Sequence, residues 1–328
     1  MLSDTIKRIE RQYEIKRNQA DALFIAEKKS VYDKTPKLRQ IDIDITKCGI
    51  QTARLSLQGQ SEENKKSIQE LQEHILKLKK EKEKILESLN VDLTPKYDCK
   101  KCNDTGYIIK DGLSEMCPCM KQELLNEAYN KSNMNNLQNE NFENLDLNLF
   151  SSTKDENKYK SELSPRENIE KVINFSKHFI NNFEDSKEKN LLFTGTTGIG
   201  KTYISSCIAN EIIKKGYTVL YQTAPVLLDS IFSYKYNNNS SKELYDNLFN
   251  VNLLIIDDLG TENLTAAKFT EIFTILNSRL LTSNTKTIIS TNFSLEELSK
   301  MYDSRILSRI IGNYTICRFF GEDIRLKH

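Results

Sequence analysis

Two textures of apolar residues divide the chain. Up to residue 94 they are sparse and spaced among Lys and Glu, and from about residue 166 they gather into short unbroken runs. Beyond residue 61, Ile68, Leu71, Ile75, Leu78, Ile85 and Leu89 recur three or four positions apart, with Lys82 in the one polar slot. That spacing places them on one stripe of a helix. The first 94 residues contain only Pro36, Gly49 and Gly59 as breakers, so little interrupts helix formation. The stripe has two readings, an antiparallel helical hairpin packed on itself or a parallel coiled-coil dimer. Either makes the segment a docking arm whose apolar stripe partner helices can share.

The later runs are NLLFT (190–194), TVLYQ (218–222), NLLIID (252–257), KTIIST (286–291) and YTICRFF (314–320). Helical patterns, beginning with ENIEKVINFSKHFINNF, precede the first run and separate most of the others. Strands without polar alternation are buried on both faces. The pattern therefore predicts an α/β fold with a mainly parallel five-stranded sheet between helices. Residues 121–165, rich in Asn, Ser and Lys, read as a linker that is helical at its start. The expected organisation is a helical arm over 1–94, a cysteine module over 95–120, the linker over 121–165 and the α/β domain over 166–328. No internal repeat is visible.

Charge narrows the possible partners. Lys and Arg number 47 and Asp and Glu 46, giving a net charge of +1 over 328 residues. This excludes a uniformly basic nucleic-acid coat and an acidic solvating tail, so any nucleic-acid surface must be local. No apolar run approaches the roughly 18 residues of a membrane span. The N-terminal MLSDTIKRIERQYEIKR lacks the apolar core of a signal peptide. These features predict a cytoplasmic protein with no membrane partner, in which thiols stay reduced.

Four of the seven cysteines cluster, as Cys99, Cys102, Cys117 and Cys119, while Cys48, Cys207 and Cys317 are scattered. Two close thiol pairs fourteen residues apart suit a tetrahedral zinc site. Gly106 lets the backbone bend after the first pair, and Pro118 pre-bends the tighter C-x-C of the second. The alternative is reduced, unliganded thiols. No His lies close in sequence, His74 and His178 being the nearest, which argues against thiol catalysis. A zinc here is structural, because about 25 residues cannot bury a useful core unaided.

Gly195, Thr196, Thr197, Gly198, Ile199, Gly200, Lys201 and Thr202 fit G-x4-G-K-[ST] at every position, between a strand and a helix pattern. Such a loop turns its amides onto phosphates. Lys201 then reaches the β- and γ-phosphates and Thr202 places its hydroxyl on Mg²⁺. Asp257 and Asp258 end the strand LLIID; Asp257 is positioned to hold Mg²⁺ and Asp258 to polarise the attacking water. Asn292, ending IIST, can orient that water or sense the γ-phosphate. Arg305 and Arg309 share one helix face at i, i+4, and Arg325 can close over the nucleotide. No N-K-x-D guanine signature appears, so ATP is preferred to GTP.

In this order GTTGIGKT, LLIIDDLG, STN, SRILSRI and GEDIR resemble the AAA+ ATPases of the bacterial helicase-loader family, the DnaC/DnaI type. The resemblance covers about 140–328, and the cysteine module with DTGY (104–107) and the helical arm resemble loaders of the Firmicutes type. It implies a Walker A motif with Lys201 and Thr202, and a Walker B motif with Asp257 and Asp258, where many relatives have Glu in place of Asp258. It implies sensor 1 at Asn292, an arginine finger at Arg309 supported by Arg305, and sensor 2 at Arg325. It further implies an ATPase that self-associates with ATP, binds single-stranded DNA through its AAA+ domain, and binds a DnaB-type replicative helicase through its N-terminal region. Lys214, Lys215 and Lys235 with Tyr217, Tyr221, Tyr234 and Tyr236 offer a basic and aromatic mix for single strands. The competing readings are an IstB-type transposition-associated ATPase, a P-loop nucleotide kinase, and a scaffold that binds ATP without turnover.

Overall fold

The computed structural model describes residues 2–58, 61–127, 140–237, 242–263 and 265–326. It has two compact units, residues 1–114 and 115–328. In the first, α1 (Leu2–Lys34) is followed by α2 (Pro36–Leu57) and α3 (Glu62–Leu89). Pro36 opens α2, where its missing N–H would have had no helical partner. Ser61 caps α3 by accepting the Asn64 N–H, and Asn90 ends it in the left-handed region at φ 52°.

Helices α2 and α3 form an antiparallel hairpin, with Lys37 pairing with Glu81 and Asp42 with Lys82. The polar slot of the stripe is thus filled by an ion pair. Lys82 lies 2.5 Å from the Asp42 carboxylate, which also accepts the Tyr32 hydroxyl of α1 at 2.5 Å. One half-buried carboxylate thereby ties together all three helices.

The short strands β1 (Tyr107–Lys110) and β2 (Leu113–Met116) form a two-stranded sheet, followed by α4 (Pro118–Leu125). In the second unit come α5 (Pro165–Asn181), β3 (Asn190–Thr194), α6 (Lys201–Lys214), β4 (Val219–Thr223), α7 (Ala224–Asn237), α8 (Lys242–Asn250) and β5 (Leu253–Asp257). Then follow α9 (Ala266–Leu281), β6 (Lys286–Thr291), α10 (Leu295–Met301), α11 (Ser304–Asn313) and β7 (Tyr314–Arg318). The five strands β3 to β7 pair in the order β4-β5-β6-β3-β7, all parallel. Each falls on a predicted apolar run.

Successive strand residues serve opposite faces, which explains the unbroken runs. Leu191, Phe193, Leu253 and Ile255 join the core under α5 and α6. Leu192, Leu254 and Ile256 join the core under α7 to α11.

The stretch read as a linker carries packing residues at both ends. Gln122 of α4 brackets edge strand β4, accepting the Val219 N–H at 2.6 Å and donating to the Val219 carbonyl at 3.0 Å. It thus covers an edge that would otherwise be unpaired. Leu125 is buried in one core, and Phe142, Leu145, Leu147, Leu149 and Phe150 belong to the other. These apolar residues are diluted among Asn and Glu, so no periodic pattern marks them. Residues 128–139 lie outside the described residues. Among the described residues no helix is long and apolar enough to cross a membrane.

Candidate nucleotide-binding site and cysteine cluster

Sheet order builds the site. β6 lies between β3 and β5, so the loop after β3, the carboxylates ending β5 and the polar end of β6 emerge side by side. Thr194 is level with Thr291, and Ile256 with Ile289, which brings Asp257 beside Ser290. Three separate motifs therefore meet at one edge of the sheet.

The loop adopts backbone that only glycine takes freely. Gly195, Gly198 and Gly200 have φ of 143°, 75° and 92°, and Gly200 starts α6. A Cβ at Gly195 would stand 2.2 Å from the Phe319 carbonyl oxygen. Lys201 is buried, and its Nζ donates to the carbonyls of Gly195 and Thr196, each at 2.6 Å, and to Asn292 Oδ1 at 2.9 Å. Burial lowers its ammonium to about 8 despite the nearby charges of Asp258 and Asp257.

Asp257 is 3% exposed and fully engaged. It accepts hydrogen bonds from Thr202 Oγ1 at 3.1 Å, from the Tyr221 hydroxyl at 2.9 Å and from the Ser290 hydroxyl. Thr202 and Asp257 thus place two hard oxygen donors together, a donor set that suits Mg²⁺. Asp258 sits in the left-handed region at φ 55°, with its N–H on Ser290 Oγ at 3.1 Å and its Oδ1 3.4 Å from Asn292 Nδ2. Burial and the Asp257 charge raise its carboxyl.

Tyr221 and Ser290 are the positioning residues that sequence reasoning missed. Ser290 carried a signal, as a polar side chain in an apolar strand; Tyr221 carried none. Burial holds the Tyr221 hydroxyl far above its usual range, so it stays a donor to Asp257. The structure therefore removes Tyr221 from the expected single-strand surface. Of that set, Lys235 pairs with Glu271 at 2.6 Å, Lys214 with Glu211 at 2.7 Å, and Lys215 donates to the Ile180 carbonyl. Tyr217 donates to Glu184 and Tyr234 stacks on Tyr245. The Tyr236 side chain lies outside the described residues.

The two helix arginines separate. Arg305 is held by Asp303 at 3.0 and 2.7 Å and lies over Phe273. Arg309 is exposed and, among the described residues, has no carboxylate partner. Arg325, near the chain end, pairs with Asp323 at 2.6 Å.

The four clustered cysteines place their sulfurs all within 4.8 Å of one another. A zinc bonded at about 2.3 Å to four thiolates needs sulfurs roughly 3.8 Å apart, so the set fits a tetrahedral ion after small adjustment. Asn103, Asp104 and Gly106 take positive φ to turn the chain, and buried Asp104 accepts the N–H groups of Asp98 and Cys99 at 2.9 and 2.8 Å. Pro118 starts α4, whose first turn carries Cys119. Burial raises the thiols of Cys207 to about 12 and Cys317 to about 11, which leaves them inert.

A glycine-shaped phosphate loop, paired carboxylates and an intervening strand ending in Asn define a P-loop ATP-binding domain of the AAA+ type. A family model described as an IstB-like ATP binding protein matches residues 151–328, just over half of the chain. The chain belongs to this family of ATP-binding proteins, which implies a nucleotide in the loop with Mg²⁺ beside it.

The chain is 27% identical over 147 residues to the replicative helicase loader DnaC of Escherichia coli K12, covering 43% of this chain and 58% of that protein. It is 31% identical over 164 residues to DnaC of Buchnera aphidicola subsp. Baizongia pistaciae, covering 49% and 66%. It therefore spans less than two thirds of the length of these curated relatives. A crystal structure of DnaI aligns over 58% of this chain and 92% of that one, with 26% identity and a TM-score of 0.45.

Proposed function

We propose that the protein is an ATP-dependent loader of a replicative DNA helicase. The observation that supports the task is the similarity of its ATP-binding region to proteins named as replicative helicase loaders. Convergence of Lys201, Asp258 and Asn292 supports ATP turnover. In this reading the loop amides of 195–202 grip the phosphates and Lys201 moves from the loop carbonyls to the β- and γ-oxygens. Thr202 and Asp257 hold Mg²⁺, which when bound neutralises phosphate charge. Asp258 accepts a proton from the attacking water, and Asn292 orients that water. Arg325 closes on the nucleotide of its own chain. Arg309, exposed and without a carboxylate partner among the described residues, enters the site of a neighbouring copy in an ATP-dependent assembly.

The helical arm over 1–94 then binds the helicase, the cysteine module holds one structural zinc, and the ATPase domain engages single-stranded DNA in the cytoplasm. A helicase deposited on a single-stranded DNA circle unwinds an annealed strand. Addition of this protein with ATP should raise that unwinding, and no increase would refute loading. The matching family model favours a second reading, an IstB-type ATPase acting in transposition. That reading predicts ATP-dependent binding to a transposase and indifference to the helicase.

A further inference from the structure

The C-terminal turn brings a carboxylate onto the phosphate loop. Ile324 donates its N–H to the Gly198 carbonyl at 2.8 Å, which ties the turn to the middle of the loop. A Cβ added to Gly198 would lie 2.0 Å from Asp323 Oδ1. The carboxylate therefore occupies the space in which a side chain at position 198 would stand. The same carboxylate grips Arg325, at 3.0 Å from Nε and 2.6 Å from a terminal nitrogen. Arg325 is close enough to act on the Lys201 ammonium. One loop thus has a cation intended for phosphate and an anion already seated on that cation.

Arg325 can offer its planar fork to a carboxylate or to a phosphate, but the same donors cannot serve both. We propose that Asp323 is a resident counter-anion of Arg325, which a nucleotide's phosphates must displace, and that it thereby weakens and sets nucleotide affinity. This rests on the reading of 195–202 as the nucleotide site. The outcome is a site that exchanges nucleoside di- and triphosphates readily instead of trapping them.

Asp323 also has a purely structural task, since its Oδ1 accepts the Arg325 backbone N–H at 3.0 Å. Asp323→Asn keeps an oxygen there and removes only the charge, so it separates the two roles. The test is the Kd of a fluorescent ATP analogue, by anisotropy, for the full chain, Asp323→Asn, Arg325→Ala, the double variant and Lys201→Ala. Asp323→Asn should bind about twofold to fivefold more tightly than the parent, because the competent state no longer competes with the ion pair. In the Arg325→Ala background that gain should vanish. An unchanged or weaker Kd in Asp323→Asn, with Lys201→Ala still abolishing binding, overturns the role of Asp323 and leaves the nucleotide site intact. A gain that survives in full without Arg325 also overturns it, since the carboxylate then acts on phosphate directly. A parent protein that binds no better than Lys201→Ala removes the nucleotide site, and the inference with it.

Discussion

The amide oxygen of Asn292 accepts a hydrogen bond from Lys201 at 2.9 Å, while its nitrogen lies 3.4 Å from Asp258 Oδ1. One side chain just past β6 thus touches both the lysine proposed to bind phosphate and the proposed base. The contact exists because β6 is inserted between β3 and β5. Asn292→Ala should lower kcat for ATP hydrolysis about a hundredfold, as loss of one preorganised polar group does. Nucleotide Kd should move by less than about threefold, since the side chain acts chiefly on the transition state. Steady-state kinetics with a parallel binding titration check both.

Arg309→Ala should leave nucleotide Kd unchanged. Hydrolysis that rises with protein concentration in the parent should fall about a thousandfold, the scale of a lost trans-acting arginine. Arg305→Ala should have a smaller effect, because Asp303 already holds that guanidinium. Turnover measured across a protein dilution series separates the two.

Arg279 is 2% exposed and, among the described residues, has no carboxylate paired with it, yet each nitrogen is used. It donates to Thr287 Oγ1 at 3.0 Å and to the carbonyls of Leu248 and Lys286 at 2.8 and 2.7 Å, joining α9 to α8 and β6. Arg279→Ala should destabilise the ATPase domain by about 3 kcal/mol or more, because three buried acceptors lose their partner. Urea denaturation followed by circular dichroism gives the value.

The cysteine cluster should hold about one zinc ion per chain after purification without chelator. Cys102→Ser should lose the metal and raise proteolytic cleavage between 95 and 120, since the segment has little core of its own. Metal analysis and limited proteolysis check the two outcomes.

Much of this architecture can be read along the chain. The five strands are visible because both faces of the sheet are covered, so each is an unbroken apolar run. The phosphate loop is visible because Gly195, Gly198 and Gly200 lie at fixed positions within one short segment. Contacts that depend on distant partners are not. Gln122 looks like any helix glutamine until it brackets Val219, and Tyr221 looks like a surface aromatic until its hydroxyl reaches Asp257. Both faces of β4 are covered, so Tyr221 is buried and the basic and aromatic set loses that member. Asp323 lies too far in sequence from Gly198 for any local pattern to link them. The hairpin of α2 and α3 was one of two readings, and Lys82 on Asp42 supplied the polar contact that the stripe left open.

Co-purification tests most directly the proposal that the protein delivers a replicative helicase. The full chain, immobilised by an affinity tag, is mixed with the replicative helicase of the same organism with ATP, with ADP and without nucleotide. The helicase should be retained by the full chain, with an amount that depends on nucleotide, and lost when 1–94 are removed. No retention under any of the three conditions would contradict the account.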